Sequence, residues 1–408
     1  MYALKDYIEV LKSRNSVFVI TANAFTVFAL AYLLAFYIVM IINEVGGAFS
    51  VGLYFTTITT LSLISPFLGG YFSNLFGRKC LLLLSTIGLA FTLLIFSTLP
   101  LKTPTLLLIL ASFVYFLNSL ASPAKIDLLT ENLTKKYTGK ALAILFFSET
   151  IIAITSYLTF GFLLSKTNRS IAILLSAIII SISLIPLNFI HETLKPRIKY
   201  EGLFAFTRSF RDLKFLVQSR ILLLFLISIS FNNFYSSIAS PYVIPFLQSI
   251  RMLTVEEISR LYTGIAIAVL VGYLIAGHVV DKLGSILSLI LLNSLALILI
   301  PTFALAPILI ALICFTLLSF LDSLNIARDK FVIENVNPEH RSLMLGSYRS
   351  ITALPRIIGP LIGSILWNIS PILVFIATAM LIPIDISILT ILYFTLKSKS
   401  YATNKSTN

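Results

Sequence analysis

Acidic side chains are scarce: Asp and Glu number 17 in 408 residues against 30 Lys and Arg, and charged residues of both signs reach only 12%. A soluble globular chain carries about 25%. This one has too little polar surface to be wetted all round, so lipid is its expected solvent. With two cysteines, Cys80 and Cys314, there is neither a disulfide framework nor zinc spacing, and both are expected to pack as small apolar residues. The three histidines, His191, His278 and His340, lie far apart and form no metal motif. There is no glycine-rich nucleotide loop and no cluster of His, Asp or Ser suited to catalysis at a membrane edge. The expectation is a chain with no metal, no cofactor and no enzymatic activity.

What is abundant is apolar: 58% of residues are hydrophobic, and the mean hydropathy is +0.99. Spanning a bilayer takes roughly 20 residues of helix. Twelve runs qualify, at 17–42, 49–72, 80–98, 105–123, 141–164, 170–190, 221–247, 258–280, 286–302, 307–326, 343–368 and 371–396. In lipid the backbone must bond to itself, and no strand alternation of a barrel is visible, so the runs read as helices. The first 16 residues lack the features of a removable signal. Leu4, Tyr7, Ile8 and Leu11 there share one face, which reads as an interfacial helix.

The net charge of +13 is distributed by side. With the first residue placed in the cytoplasm, 24 of the 30 cations fall in inside segments and five in outside loops. This positive-inside bias predicts both termini in the cytoplasm. It reads as a topology signal and an attraction to anionic lipid rather than as a nucleic-acid footprint. The longest polar interruption, 191–220, reads as a linker between a bundle at 17–190 and another at 221–396, with a tail at 397–408. Within the linker, Leu203–Gln218 mixes phenylalanines with basic residues. It is expected to lie on the membrane face, with a calmodulin-type target helix as the alternative.

The two halves repeat. GYFSNLFGRK (Gly70–Lys79) aligns with GHVVDKLGS (Gly277–Ser285), so that Gly70 meets Gly277, Asn74 meets Asp281 and Gly77 meets Gly284, always 207 positions apart. AKIDLLTEN at Ala124 aligns with ARDKFVIEN at Ala327, and FLNSL at Phe116 with FLDSL at Phe320. Asn23 with Phe25 resembles Asn232 with Phe234. Several matches in one order indicate an internal duplication.

Two six-helix halves with a basic central loop, and a Gly-x3-Asp-x2-Gly-basic turn between spans two and three, resemble the major facilitator superfamily of secondary transporters. Here the first copy of the turn is Gly70, Asn74, Gly77, Arg78 and Lys79, with Asn74 in the place of the acid and Leu75 in that of the next cation. The second is Gly277, Asp281, Lys282 and Gly284. The resemblance implies an all-α membrane fold of twelve helices in two pseudo-symmetric bundles, with a central cavity that opens to one side at a time. It also implies that Asp281 faces the start of span five near Ala141, and Asn74 the start of span eleven near Leu343, as latches at helix N-termini. With its charge missing, Asn74 would latch more weakly.

Charges inside apolar runs cost about 2.5–3.5 kcal/mol each near a helix centre, so they mark surfaces that face protein or water. Glu149, Asp322, Arg356 and Asp385 are such residues. Arg356 lies seven residues after Arg349 and opens RIIGPLIG, which resembles a Gly-Pro motif that some drug exporters carry in span five. It is expected either to contact an anion or to pair with an acid that fastens helices. Asp322, with Asn118 as its counterpart in the first half, is the first candidate for a proton-carrying acid, with helix fastening as the alternative. A carboxyl in a low-dielectric cavity holds its proton more tightly and a neighbouring arginine loosens that hold, so proton and substrate can compete there. Span seven, with Asn232, Asn233, Tyr235, Tyr242 and two prolines, reads as a bent, polar wall of the cavity or simply as a kinked helix. Gly264, Ala268, Gly272 and Ala276 form a small-residue stripe on span eight, expected to meet span five. Asp385 has no account at this level.

Together these readings predict proton-coupled efflux of a small amphiphilic compound or metabolite by a monomer in the plasma membrane. An importer or uniporter of the same fold is the alternative, and a receptor or lipid scramblase is the alternative of another class.

Overall fold

A computed structural model describes residues 13–98, 103–130, 135–192, 219–335 and 351–406. The interfacial helix expected at the start, most of the linker with Leu203–Gln218, and Arg349 lie outside the described residues. The described chain is helical throughout, in order α1 (Arg14–Tyr32), α2 (Ile38–Phe76), α3 (Arg78–Thr98), α4 (Pro104–Thr130), α5 (Lys135–Lys166), α6 (Arg169–Asn188), α7 (Arg220–Ala239), α8 (Val255–Leu283), α9 (Ser285–Leu305), α10 (Ile308–Asp322), α11 (Ile326–Asn335), α12 (Gly359–Ile369) and α13 (Pro371–Ser406). Among the described residues ten helices are long and apolar enough to cross a membrane. The first of them, Arg14–Ser73, has 60 residues, about three bilayer thicknesses. Gly47, at φ 63° and ψ −171°, leaves helical space and divides it into the first two expected spans. The eleventh run is described only from residue 351, so all twelve expected runs map onto helix, this one in part.

Two compact units emerge, Met1–Tyr200 with Leu247–Ala266, and Glu201–Phe246 with Ile267–Asn408. In the first, α6 packs on α1 and α3, and α1 on α5. In the second, α13 packs on α7 and α9, and α7 on α12. The same pairing pattern recurs, span for span, as a duplicated bundle requires. Each unit has an apolar core at the end that holds its signature turn: Val19, Leu82, Leu128, Leu145 and Leu187 in one, Phe225, Val280, Leu289, Phe331 and Leu392 in the other. Large side chains such as Phe91, Phe162, Leu274 and Met380 point outward and are exposed, as a lipid-facing surface requires. Many Ser and Thr hydroxyls on these helices donate to carbonyls three or four residues back, for example Thr57 to Leu53 and Thr316 to Leu312. Polar side chains are thereby carried in lipid without an unmet donor.

Span seven bends where its prolines predict. After α7 come a 3-10 turn at Ser240–Tyr242 and a π-turn at Phe246–Ile250. Span eleven is interrupted as well, by a 3-10 turn at Leu354–Ile357 that carries Arg356. Span four, by contrast, runs on through Pro123 to Thr130. Leu247–Ala266 packs with the first unit. Ser259 Oγ donates to the Tyr157 carbonyl, and Gly161 admits it, since a Cβ there would lie 2.0 Å from Ser259 Oγ. Cys314 is buried, but Cys80, expected to pack, is exposed at the start of α3.

Candidate functional site

The glycines that end the signature turns share one conformation. Gly77 has φ 94° and Gly284 φ 84°, a region that side chains disfavour. Each donates its N–H to the carbonyl four residues back, Ser73 or Val280, and accepts from the residue four ahead, Leu81 or Ser288. Each glycine thus keeps both of its own backbone hydrogen bonds where two helices meet. Gly70 and Gly277 behave otherwise, since a Cβ on either would meet nothing within 4 Å. A close approach occurs one residue earlier, at Gly69, whose Cβ would lie 2.1 Å from the Leu120 carbonyl oxygen.

Around these turns the charges are satisfied within each unit. Arg78 Nε lies 3.4 Å from Asp127. Lys79 donates its backbone N–H to Glu192 at 2.9 Å and its Nζ to the Asn188 carbonyl at 2.7 Å. Asp281 accepts from Lys330 Nζ at 2.6 Å, and Lys282 is exposed. Asp127 and Lys330 occupy the same place in the repeat, so the turn-to-span ion pair has the opposite polarity in the two halves. The side chain of Asn74 lies outside the described residues.

Deeper in the first unit, Asn23, Lys125 and Glu149 close a triangle. Lys125 Nζ donates to Asn23 Oδ1 at 2.8 Å and to Glu149 Oε1 at 3.0 Å, and Asn23 Nδ2 donates to the same Glu149 oxygen at 2.9 Å. Asn118 lines the adjoining cavity, which at about 30 Å³ admits little more than one water.

The second unit builds the corresponding triad around more space. Arg328, which matches Lys125 in the repeat, donates to Asn232 Oδ1 at 2.5 Å. Asn232 matches Asn23 and turns its Nδ2 to Asp385 at 3.2 Å. Asp385 is 1% exposed. It accepts further bonds from Ser228 (2.5 Å), Tyr235 (3.1 Å) and Asn293 (2.9 Å). Four donors therefore saturate a carboxylate that lipid alone could not tolerate. Beside it lies a cavity of about 320 Å³, within the range of small-molecule pockets. Asn232, Tyr235 and Asn293 line it, as do Asp322, Asn325, Arg328 and Arg356, with Phe303, Phe315 and Phe375 on the apolar side. Asp322 is the last residue of α10, is exposed to this space, and accepts from Asn325 Nδ2 at 2.5 Å.

Two candidates serve the wall rather than the cavity. Asn233 donates to the Thr352 carbonyl at 2.8 Å, and the Tyr242 hydroxyl to the Pro360 carbonyl at 2.6 Å, so both fasten span seven to span eleven. Gly359 and Gly363 permit that contact, since a Cβ would lie 1.9 Å from Ser237 Oγ and 2.4 Å from the Ile238 oxygen. On span eight, a Cβ on Gly272 would lie 2.8 Å from the Phe320 carbonyl oxygen, so this part of the small-residue stripe meets span ten and not span five, and a Cβ on Gly264 meets nothing within 4 Å. Sequence reasoning missed Lys125 and Arg328 as site residues, although the Ala-Lys and Ala-Arg matches in the repeat pointed to both.

The family model described as Major Facilitator Superfamily matches residues 19–241 and 226–408. The chain belongs to the major facilitator superfamily. Among solved structures of the same fold are the nucleoside transporter NupG, with TM-score 0.73, 12% identity, and coverage of 94% of this chain and 100% of that one. The D-xylose–proton symporter follows, with TM-score 0.68, 15% identity, and coverage of 93% and 97%. A bacterial homolog of the human lysosomal transporter Spinster has TM-score 0.66, 14% identity, and coverage of 93% and 97%. No curated protein matches this sequence. The family and the fold are those of multi-pass membrane transporters.

Proposed function

We propose that this major facilitator superfamily protein is a secondary active transporter that exports a small amphiphilic solute in exchange for protons, with a substrate site that opens to one side of the membrane at a time. The observation that carries this reading is the second-unit cavity. An accessible carboxyl, Asp322, shares its wall with Arg328, Arg356 and three phenylalanines. Asp322 is the proton-carrying residue. A proton and the polar end of a solute compete for it, and that competition produces exchange rather than co-transport. Asp385 keeps its four donors throughout and serves as the anchor of the wall. Through Asn232 it holds Arg328 toward the cavity.

In this reading the first-unit triangle is a closed brace, because its cavity has room for a water and not for a solute. The Phe303 ring centroid lies 5.5 Å from that of Phe315 and 5.2 Å from that of Phe375, tilted and edge-on respectively, which favours an apolar body beside a polar head. The exporter operates as a monomer in the plasma membrane, both termini in the cytoplasm, with Asp281 and Asn74 acting at the cytoplasmic gate. Asp281 can serve a latch only by sharing or exchanging its bond to Lys330.

The test is solute flux in proteoliposomes with an imposed proton gradient. Accumulation against the solute gradient that a protonophore collapses supports exchange. Flux in the direction of the proton gradient identifies a symporter, flux indifferent to it a uniporter, and lipid exchange between leaflets without solute movement a scramblase.

A further inference from the structure

The second-unit cavity holds two opposite charges that are not paired with each other. Arg328 gives one guanidinium N–H to Asn232, and among the described residues no carboxylate lies within ion-pair distance of it. Asp322 accepts from Asn325 through Oδ1, and its Oδ2 has no partner among the described residues. Both line the same cavity. Asp322 closes α10, and a 3-10 turn at Ser323–Asn325 leads into α11, which carries Arg328. Six residues of such helix separate the two by about 9–12 Å along the axis.

Charges in a membrane interior are costly and ordinarily pair directly. Here each is turned to an amide instead. Asn232 takes Arg328 and is itself fixed on Asp385, while Asn325 takes Asp322. An arginine has five donors in a planar fork, so Arg328 keeps most of them for a ligand. The wall therefore presents a positive and a negative pole held apart. The charges of Arg328 and Asp322 also sum to zero. A ligand of zero net charge leaves that balance intact, whereas a singly charged one leaves an excess charge in a low-dielectric site.

We propose that the substrate is a zwitterion with an apolar body: its carboxylate meets Arg328, its ammonium meets Asp322, and its body lies on Phe303, Phe315 and Phe375. This deepens the transport reading and rests on it, because it names the chemical class the same cavity takes. The ammonium and the transported proton then compete for one carboxyl.

The test is equilibrium binding to the full chain in lipid nanodiscs, by calorimetry, with no transport required. The probes are L-phenylalanine, with 3-phenylpropionate and phenethylamine as the forms lacking the ammonium or the carboxylate, and L-alanyl-L-phenylalanine, with propionyl-L-phenylalanine and L-alanyl-phenethylamide likewise. At least one zwitterion binds, and loss of either charge weakens binding by about tenfold or more. Arg328→Gln removes the advantage of the zwitterion over the cation, and Asp322→Asn its advantage over the anion. Equal binding of a singly charged form, or no binding of either zwitterion, overturns the proposal, and the comparison on the native protein needs no variant to fold. Zwitterion binding without any flux in proteoliposomes counts against the transport reading alone.

Discussion

Replacing Asp385 with asparagine separates two states of the buried carboxyl. The side chain accepts from Ser228, Asn232, Tyr235 and Asn293 at 2.5 to 3.2 Å, an arrangement suited to an anion. A hydrogen bond to a charged acceptor contributes roughly 1.5–3 kcal/mol, and a buried donor left unmet costs a similar amount. Asparagine keeps one acceptor oxygen and turns an NH2 toward donors. Three of the four donors, Asn232, Tyr235 and Asn293, also line the cavity, where water can reach them, so the loss falls well short of the full sum. We expect Asp385→Asn to cost about 2–4 kcal/mol. That is a fall in Tm on the order of 2–5 °C for a chain of this length, measured by thermal unfolding in a fixed detergent. Arg328 loses its anchored partner at the same time, so ligand affinity should fall with stability. A Tm within about 1 °C of native, equivalent to a fraction of a kcal/mol, would refute the reasoning. Asparagine mimics a protonated carboxyl, so that result would mean Asp385 is held neutral.

Other expectations follow from the same contacts. Lys125→Met leaves Glu149 partly buried with Asn23 as its remaining donor from the triangle. It should cost about 1–3 kcal/mol, and adding Glu149→Gln should restore part of it in a double-mutant cycle by thermal unfolding. Gly363→Ala forces a Cβ to within 2.4 Å of both the Ile238 oxygen and Tyr242 Cε2. It should destabilise by about 1–3 kcal/mol, because backbone cannot yield as a flexible side chain can. Gly264→Ala, which meets nothing within 4 Å, should be neutral or stabilising by up to about 1 kcal/mol in the same assay.

Much of the architecture was legible because lipid enforces it. Apolar length gives the spans, and positive φ at Gly77 and Gly284 demands glycine, so the repeated turn survives in the sequence even where Asn74 departs from it. Boundaries were less legible where proline misled. Pro123 reads as the end of span four, yet α4 continues through it, and Lys125 thereby reaches Asn23 and Glu149 instead of a loop. Span ten reads as continuous to Ile326, but its helix ends at Asp322 and re-forms after a 3-10 turn, which separates Asp322 from Arg328. Asp385 was opaque because its donors come from α7 and α9, between 92 and 157 positions away in the chain, and no local pattern reports such a meeting. Asn233 and Tyr242 share the polar stretch of Asn232 and Tyr235, and only the rotation of the helix decides which pair meets the cavity and which fastens the wall.

Proton coupling through Asp322 is tested most directly by internal pH in proteoliposomes during solute addition, for the native protein beside Asp322→Asn. The account predicts a solute-dependent pH change in the native protein that the substitution abolishes while solute binding to Arg328 persists. Solute movement by the native protein with no pH change, or an unchanged pH response in Asp322→Asn, would contradict it.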